Sequence, residues 1–487
     1  MMSEQPTAPA RRMEGADWAL LGVSVLAAAV YVLAHQPFTG YFPGIGLAVT
    51  HWALTLVALM YARRKGRLRL KSNGRGIFLL TLSLLLSACY GIFCDNLLRM
   101  MDLPVLVLLS SQALLALTGR IGPDPLSITG LWAGVCGFLP GLFRLWPLPF
   151  RALKTRKKPE DGRSQGVEVI VGLVLAVPVL LVALLFLTSA DEVFGSLLSG
   201  GLDAIANMDA SVLLKLILAL GLGLCLFSWA GDAAVRTYAA AEPREESRLL
   251  SGLTAAVVLA ALDLVYAAFA AVQVRYLFLG TASVRMAGGY AAYARSGFFQ
   301  LAALAFLTLL LIGSALSMYK NERRVRVLCA LTAVLTAVID FSAFFRMRLY
   351  IEAYGLSLLR VLTLWAMAMI LLCLAAALVK AARPAKPVSP ALAAVILASW
   401  VALNYANIDR IVAENQVARY NAGQTDWATV QELIHAWTPD DLPAYAHLEG
   451  EAQEKARSEI ALAYGPGEDS IAHPSAYDWS FSWNWAP

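Results

Sequence analysis

LSITGLWAGVCGFLPGLFRLWPLP, residues 126–149, is apolar and long enough to cross a bilayer, yet Pro140, Gly141 and Arg144 interrupt it and Trp132 and Trp146 lie near its ends. Spanning and interfacial readings both fit its composition. Which one holds decides the orientation of everything that follows. Two dense basic loops arbitrate. Arg63, Arg64, Lys65, Arg67, Arg69, Lys71 and Arg75 form one, and Arg151, Lys154, Arg156, Lys157, Lys158 and Arg163 form the other. Short basic loops stay in the cytoplasm. Both loops fall on that side only if 126–149 does not span, and Lys320, Arg323, Arg324 and Arg326, then Lys380, Arg383 and Lys386, fall there too. The stretch is therefore expected to be interfacial or re-entrant.

Outward from it, runs of the roughly 20 residues needed to cross about 30 Å of hydrocarbon lie near 17–35, 41–62, 77–95, 100–118, 167–188, 211–230, 249–275, 297–318, 327–345, 356–379 and 389–405. The expected fold is thus all-α, a polytopic transmembrane bundle of about eleven spans with the amino terminus inside and the carboxyl terminus outside. Composition agrees: 59% of the 487 residues are hydrophobic and 15% charged, against roughly 45–50% and 25% in soluble domains. The net charge of +5 resides in inter-helix loops, which argues against a nucleic-acid partner. Five segments follow: a cytoplasmic start at 1–16, four spans in 17–120, the interfacial stretch and basic loop at 121–165, seven spans in 166–405, and an acidic tail at 406–487. The tail holds thirteen acids against four bases. In it NIDRIVAENQVARYNAG continues helically from the last span to a cap at Gly423, Thr425 or Asp426 caps a second helix, and AQEKARSEIALAY forms a third.

The six cysteines, Cys89, Cys94, Cys136, Cys225, Cys329 and Cys373, have no CxxC spacing and no nearby histidine, so they read as free thiols in apolar surroundings. No phosphate loop, HExxH or GxSxG occurs, and His35 and His51 have no second ligand near in sequence. No cofactor, metal or catalytic set is indicated.

A charge within a span costs about 2.5–3.5 kcal/mol on insertion scales and needs a partner or a water path. Asp263 lies near mid-depth in LDLVYAAFAAVQVRYLF. It is either an ion or proton site or half of a structural pair, with Lys215 a possible partner. A second polar cluster, DFSAFFRMRLYIEAYGLSLLRVLTLW, puts Arg346, Arg348, Glu352 and Arg360 around an outer turn, and Arg275 and Arg295 bracket another, against the usual cytoplasmic bias of arginine. One explanation is pairing with Asp191, Glu192, Glu352 and the acidic tail, which docks the tail. The other is an outward pocket for an anionic lipid or envelope intermediate, because arginine forks suit phosphate. Pro104 and Pro178 each remove a backbone hydrogen bond within a span, and Gly221 and Gly223 suit close helix packing.

TSADEVF at 188–194, AAYARSGFFQL at 291–301, RLYIEAYGLSLLRVLTLW at 348–365 and NYANIDRIVAEN at 404–415, followed by Arg419 and Tyr420, occur in this order. Together they resemble an uncharacterised family of multi-pass bacterial membrane proteins classed only as a domain of unknown function. The resemblance implies a bacterial inner-membrane location and no catalytic residue. It marks Asp191, Tyr293, Arg295, Glu352, Tyr354, Arg360, Asn407, Asp409, Asn415, Arg419 and Tyr420. The sites to watch are Asp191, Asp263, Arg275, Arg295, Arg346, Arg348, Glu352, Arg360, Asp409 and Arg419. The expected role is envelope-associated assembly, sensing or scaffolding, with the bilayer and other membrane proteins as partners. A secondary transporter using Asp263 and a membrane enzyme acting on a lipid-linked substrate are the alternatives; the missing motifs point away from an enzyme.

Overall fold

A computed structural model describes residues 13–34, 43–70, 73–119, 124–154, 210–235, 251–278, 298–319, 321–435, 438–464 and 480. These residues are all-helical, with no strand among them. The chain divides into two compact units, one formed by Met1–Pro125, Thr129–Ala239 and Ala472–Phe481 and the other by Leu126–Ile128, Ala240–Ile471 and Ser482–Pro487. The first contains α1 (Gly15–Ala34), α2 (Ile45–Arg64), α3 (Gly74–Ile92), α4 (Asn96–Leu117), α5 (Ile128–Arg144), α6 (Pro147–Lys154) and α7 (Ala210–Val235). The second contains α8 (Gly252–Phe278), α9 (Phe298–Met318), α10 (Arg323–Tyr354), α11 (Leu358–Ala382), α12 (Ser389–Asn404), α13 (Ile408–Asn421), α14 (Trp427–Ile434), a 3₁₀ segment Pro439–His447, and α15 (Glu451–Tyr464).

Among the described residues nine helices are long and apolar enough to cross a membrane, or ten if the bent pair α12 and α13 counts as one. The expected spans at 17–35, 41–62, 77–95, 100–118, 211–230, 249–275, 297–318, 327–345, 356–379 and 389–405 each fall on a helix. The span expected at 167–188, with Pro178, lies outside the described residues. The tail helix does not run straight on from the last span: the chain bends by 58° between α12 and α13. Asn407 causes the break. It takes a left-handed φ of 46° and its side chain accepts from Arg410 N, starting a new helix.

In the first unit, α7 packs with α1, α2 and α4 rather than with the later helices, so the structural boundary falls near residue 240 and not at the basic loop. The reason is a close helix contact. A Cβ on Gly223 would stand 2.7 Å from the Val25 backbone, and Leu20, Leu21, Tyr61, Leu114, Phe227 and Ala230 close the core around it. Gly221 meets nothing within 4 Å, so only one of the two expected glycines serves packing. Asp17, fully buried, accepts from Tyr61 Oη at 2.5 Å and lies 3.5 Å from Lys65 Nζ, which also pairs with Glu14. Arg75 pairs with Asp124. Two cations of the first basic loop, Lys65 and Arg75, are thereby neutralised.

The deciding stretch 126–149 folds as α5 and the start of α6, and Ile128–Ala152 is apolar and long enough to cross. Its contacts nonetheless run crosswise. Gln112 Nε2 of α4 donates to the carbonyls of Gly130 and Leu131 at 2.9 and 3.1 Å. Ser228 Oγ of α7 donates to the Gly141 carbonyl and accepts from Leu145 N at 2.9 Å. Trp229 Nε1 bonds Ser111 Oγ at 2.8 Å, so these neighbouring positions of α4 and α7 lie level. Two points about 16 Å apart along α5 thus meet their partners at one depth, and α5 crosses α4 and α7 at a steep angle. Gly130, Gly134, Gly137 and Gly141 form its buried face, while Trp132, Leu139 and Phe143 are exposed.

In the second unit α10 packs on α8, α9 and α11 around Leu259, Ile312, Leu316, Val325, Cys329 and Leu374. The tail builds a small core from Ile408, Val412, Val430, Ile434, Tyr445 and Tyr464. Asp426 caps α14, accepting from Thr429 N and Thr429 Oγ1, and these bonds hold its carboxyl below its ordinary value. All six cysteines are free thiols.

The α5 contact gives a clean test. Valine at Gly134 would drive a side chain into Gln112 and lower thermal stability in detergent by about 1–3 kcal/mol. Alanine at Gly221, which meets nothing, should leave the melting temperature unchanged.

Candidate functional site

The longest described helix, α10, has 32 residues, and its last two turns with the following Gly355 carry the motif RLYIEAYG. The last four carbonyls of any helix lack partners within it and concentrate negative partial charge. Here Gly355 N takes the Ile351 carbonyl, and side chains from two other helices satisfy the next three. Arg419 of α13 donates from Nη1 to the Glu352 carbonyl at 2.9 Å and from Nη2 to the Ala353 carbonyl at 2.8 Å. Arg360 of α11 donates to the carbonyls of Tyr354 and Gly355 and lies 4.3 Å over the Tyr350 ring. Gln416 Nε2 reaches the carbonyls of Tyr354 and Leu356, at 3.2 and 2.9 Å, and Asn415 Oδ1 accepts from Leu356 N at 2.8 Å.

Gly355 makes the clamp possible. Its φ is +74°, a region L side chains rarely adopt, and a Cβ there would stand 2.5 Å from Gln416 Nε2. At the other end of α13, Asn407 Nδ2 donates to the Asp440 carbonyl at 3.2 Å, tying the helix to the 3₁₀ segment. The motifs around 348–365 and 404–420 thus meet in one place, through backbone carbonyls and not through the carboxylates that charge counting suggests.

The sequence-selected residues divide accordingly. Arg360 and Arg419 hold the clamp. Glu352 contributes its carbonyl to it, while its carboxylate makes an exposed pair with Arg348 at 2.9 Å, of the kind worth under about 1 kcal/mol. Arg346 is half-buried on the same helix, and Asp409 lies in the first turn of α13. Arg275 lies on α8, with nothing further described of its side chain. Asp191 and Arg295 lie outside the described residues.

Asp263 stands apart from this cluster. It is 4% exposed at the middle of α8 and accepts from Thr332 Oγ1 at 2.6 Å. Within its unit, a threonine is therefore its hydrogen-bond partner. The partner Thr332 and Glu352 are twenty positions apart on α10, about 30 Å along the axis, so Asp263 and Glu352 cannot act on one reacting bond. Among the described residues no group of three or more His, Cys, Asp or Glu side chains could hold a metal ion.

Three features escape sequence reasoning. His51 bonds Ser87, Ser110 and Ser83 at 3.1, 2.8 and 3.2 Å, partners 32 to 59 positions away that no local spacing announces. Arg99, 3% exposed, donates to the carbonyls of Tyr90 and Phe93 and locks the turn between α3 and α4. In the tail, Asp440 and Asp441 are buried, and Tyr445 Oη donates to Asp441 Oδ2 at 2.7 Å. Burial pushes the Asp441 carboxyl up to about 8, the adjacent Asp440 adding to the rise and the Tyr445 hydrogen bond opposing it. The signal for this pair was the TPDDLPAY phrase itself, whose helix-starting acids point inward.

Many long apolar helices, basic residues gathered in the loops between them and a clamped polar tail define a multi-pass α-helical integral membrane protein. Its family follows from comparison: residues 80–448 match the model described as Domain of unknown function (DUF4153), and the chain belongs to that family. No curated protein and no solved structure matches it.

Two outcomes follow. Arg419→Ala leaves two carbonyls without their cation and should weaken tail docking by about 1–2 kcal/mol, seen as faster amide hydrogen exchange across 408–421 with insertion unchanged. The folded tail keeps the Asp441 proton to about pH 8, whereas an unfolded chain releases it near 4. Tail stability should therefore fall as pH rises through that window, and Asp441→Asn should flatten the profile of protease resistance against pH.

Proposed function

We propose that the chain is a protein of the bacterial cytoplasmic membrane, amino terminus inside and tail outside, that acts as an envelope-associated scaffold in assembly or sensing. The observation that carries this reading is the clamp: Asn415, Gln416 and Arg419 bind the tail to the end of α10, giving a fixed polar surface. The orientation draws on the two basic loops and on the crosswise contacts of α5, whose exposed apolar face suits an interfacial helix. Other membrane proteins are the natural partners of such a surface.

A transporter is the second reading, favoured by one detail. Asp263 Oδ2 is buried and has no hydrogen-bond partner among the described residues, and transporters bind coupling ions near mid-depth.

Reporter fusions and complementation separate these ideas. A periplasm-active reporter after Tyr420 should be active, and a cytoplasm-active one within 151–163 likewise; the reverse pattern would invert the assignment. In a deletion strain scored for envelope integrity, Asp263→Asn should rescue fully, whereas Gln416→Ala with Arg419→Ala should insert normally and fail. Failure of Asp263→Asn with rescue by the clamp variant would favour transport instead.

A further inference from the structure

Between α8 and α10 the second unit has an open groove of about 650 Å³, within the size range of sites that hold small organic ligands. Its walls are Ala256, Val257 and Ala260 on one side and Val327 and Leu328 on the other. The two alanines, one turn apart, leave room that larger side chains would fill. Val257 and Val327 are 62% and 59% exposed, so among the described residues no other helix covers the groove, and in a membrane-spanning chain it opens onto acyl chains.

At one end stand Arg323 and Arg324, the first residues of α10 and both exposed. Neither has a hydrogen-bond or ion-pair partner among the described residues. Their neighbours differ. Arg326 donates to the Ala381 carbonyl at 3.0 Å, and the Glu322 carboxylate packs against Gly252, where a Cβ would collide with it. At the opposite end of α10, Arg360 and Arg419 are committed to backbone carbonyls. The arginines open to a ligand are thus at the start of this helix and not at its end.

From this juxtaposition we infer that the groove binds one anionic phospholipid, its phosphate between Arg323 and Arg324 and an acyl chain along Ala256, Ala260 and Leu328. Arginine forks match phosphate oxygens, and a zwitterionic headgroup brings a cation against two others. The lipid belongs to the leaflet bordering the turn before α10, whichever side of the membrane that is, so the inference stands independently of the scaffold role.

The test titrates the purified full chain in detergent with phosphatidylglycerol, or with phosphatidylcholine of the same chains, and counts bound lipids by native mass spectrometry. The wild type should retain one phosphatidylglycerol in preference to phosphatidylcholine. Arg323→Gln with Arg324→Gln should reduce that preference by about tenfold or more, since each surface arginine contributes about fivefold, and the double lysine variant should keep part of it. Ala260→Phe fills the groove and should remove the bound lipid with both arginines intact, which decides the matter even if the glutamine variant fails to fold. Equal retention of the two lipids by the wild type, an unchanged preference in the glutamine variant, or full retention by Ala260→Phe would each overturn the inference.

Discussion

The carbonyl oxygens at the end of α10 are the constraint on which the second unit turns. A helix of 32 residues leaves its last carbonyls unpaired, and near lipid each unsatisfied group is expensive because no water replaces the missing donor. The chain solves this by bringing donors from elsewhere. Arg360 returns from the start of α11, so the turn between the two helices must be tight, and Gly355 supplies the positive φ that allows it. Gln416 and Arg419 come from beyond the next helix, so α13 must break from α12 and lie over the same turn. The left-handed Asn407 is that break. One set of unsatisfied carbonyls therefore accounts for a glycine, two arginines and an asparagine in an unusual conformation.

The same economy governs polar groups elsewhere. Asp263 takes a threonine on the adjacent helix, His51 takes three serines, and Asp17 takes Tyr61 and Lys65. The partners of Asp263 and His51 are short hydroxyl side chains that keep neighbouring helices close. Alternation of small and large residues does the corresponding work for packing. Gly223 lets α1 and α7 touch backbone to backbone, and the glycine face of α5 lets it lie across two helices while its aromatic and aliphatic face turns outward. Where a small residue is left uncovered, as at Ala260, the outcome is a groove.

Tail and groove occupy opposite ends of α10, and their arginines have opposite fates for a physical reason. Carbonyls gather at the carboxyl end of a helix and attract guanidinium groups into intramolecular bonds; at the amino end the exposed groups are donors, which offer arginine nothing. Arg323 and Arg324 are thereby left for an external anion.

Helix type and approximate limits were legible from the sequence because hydrocarbon thickness sets a length and hydropathy marks it, without reference to any other part of the chain. The same holds for the Asp426 cap and the free thiols, which depend on neighbours in sequence. The family motifs were legible as phrases, and Arg360 was expected at the turn after α10, whereas the arrival of Asn415 and Arg419 at the same turn was not. Their partners were not legible, since charge counting looks for carboxylates and the acceptors are backbone oxygens that every residue possesses. The bend at Asn407, the crosswise lie of α5, the pairing of α7 with α1 and the burial of Asp440 and Asp441 were decided only in three dimensions. Each depends on which surfaces meet across tens to hundreds of residues, and a local pattern carries no record of such a meeting.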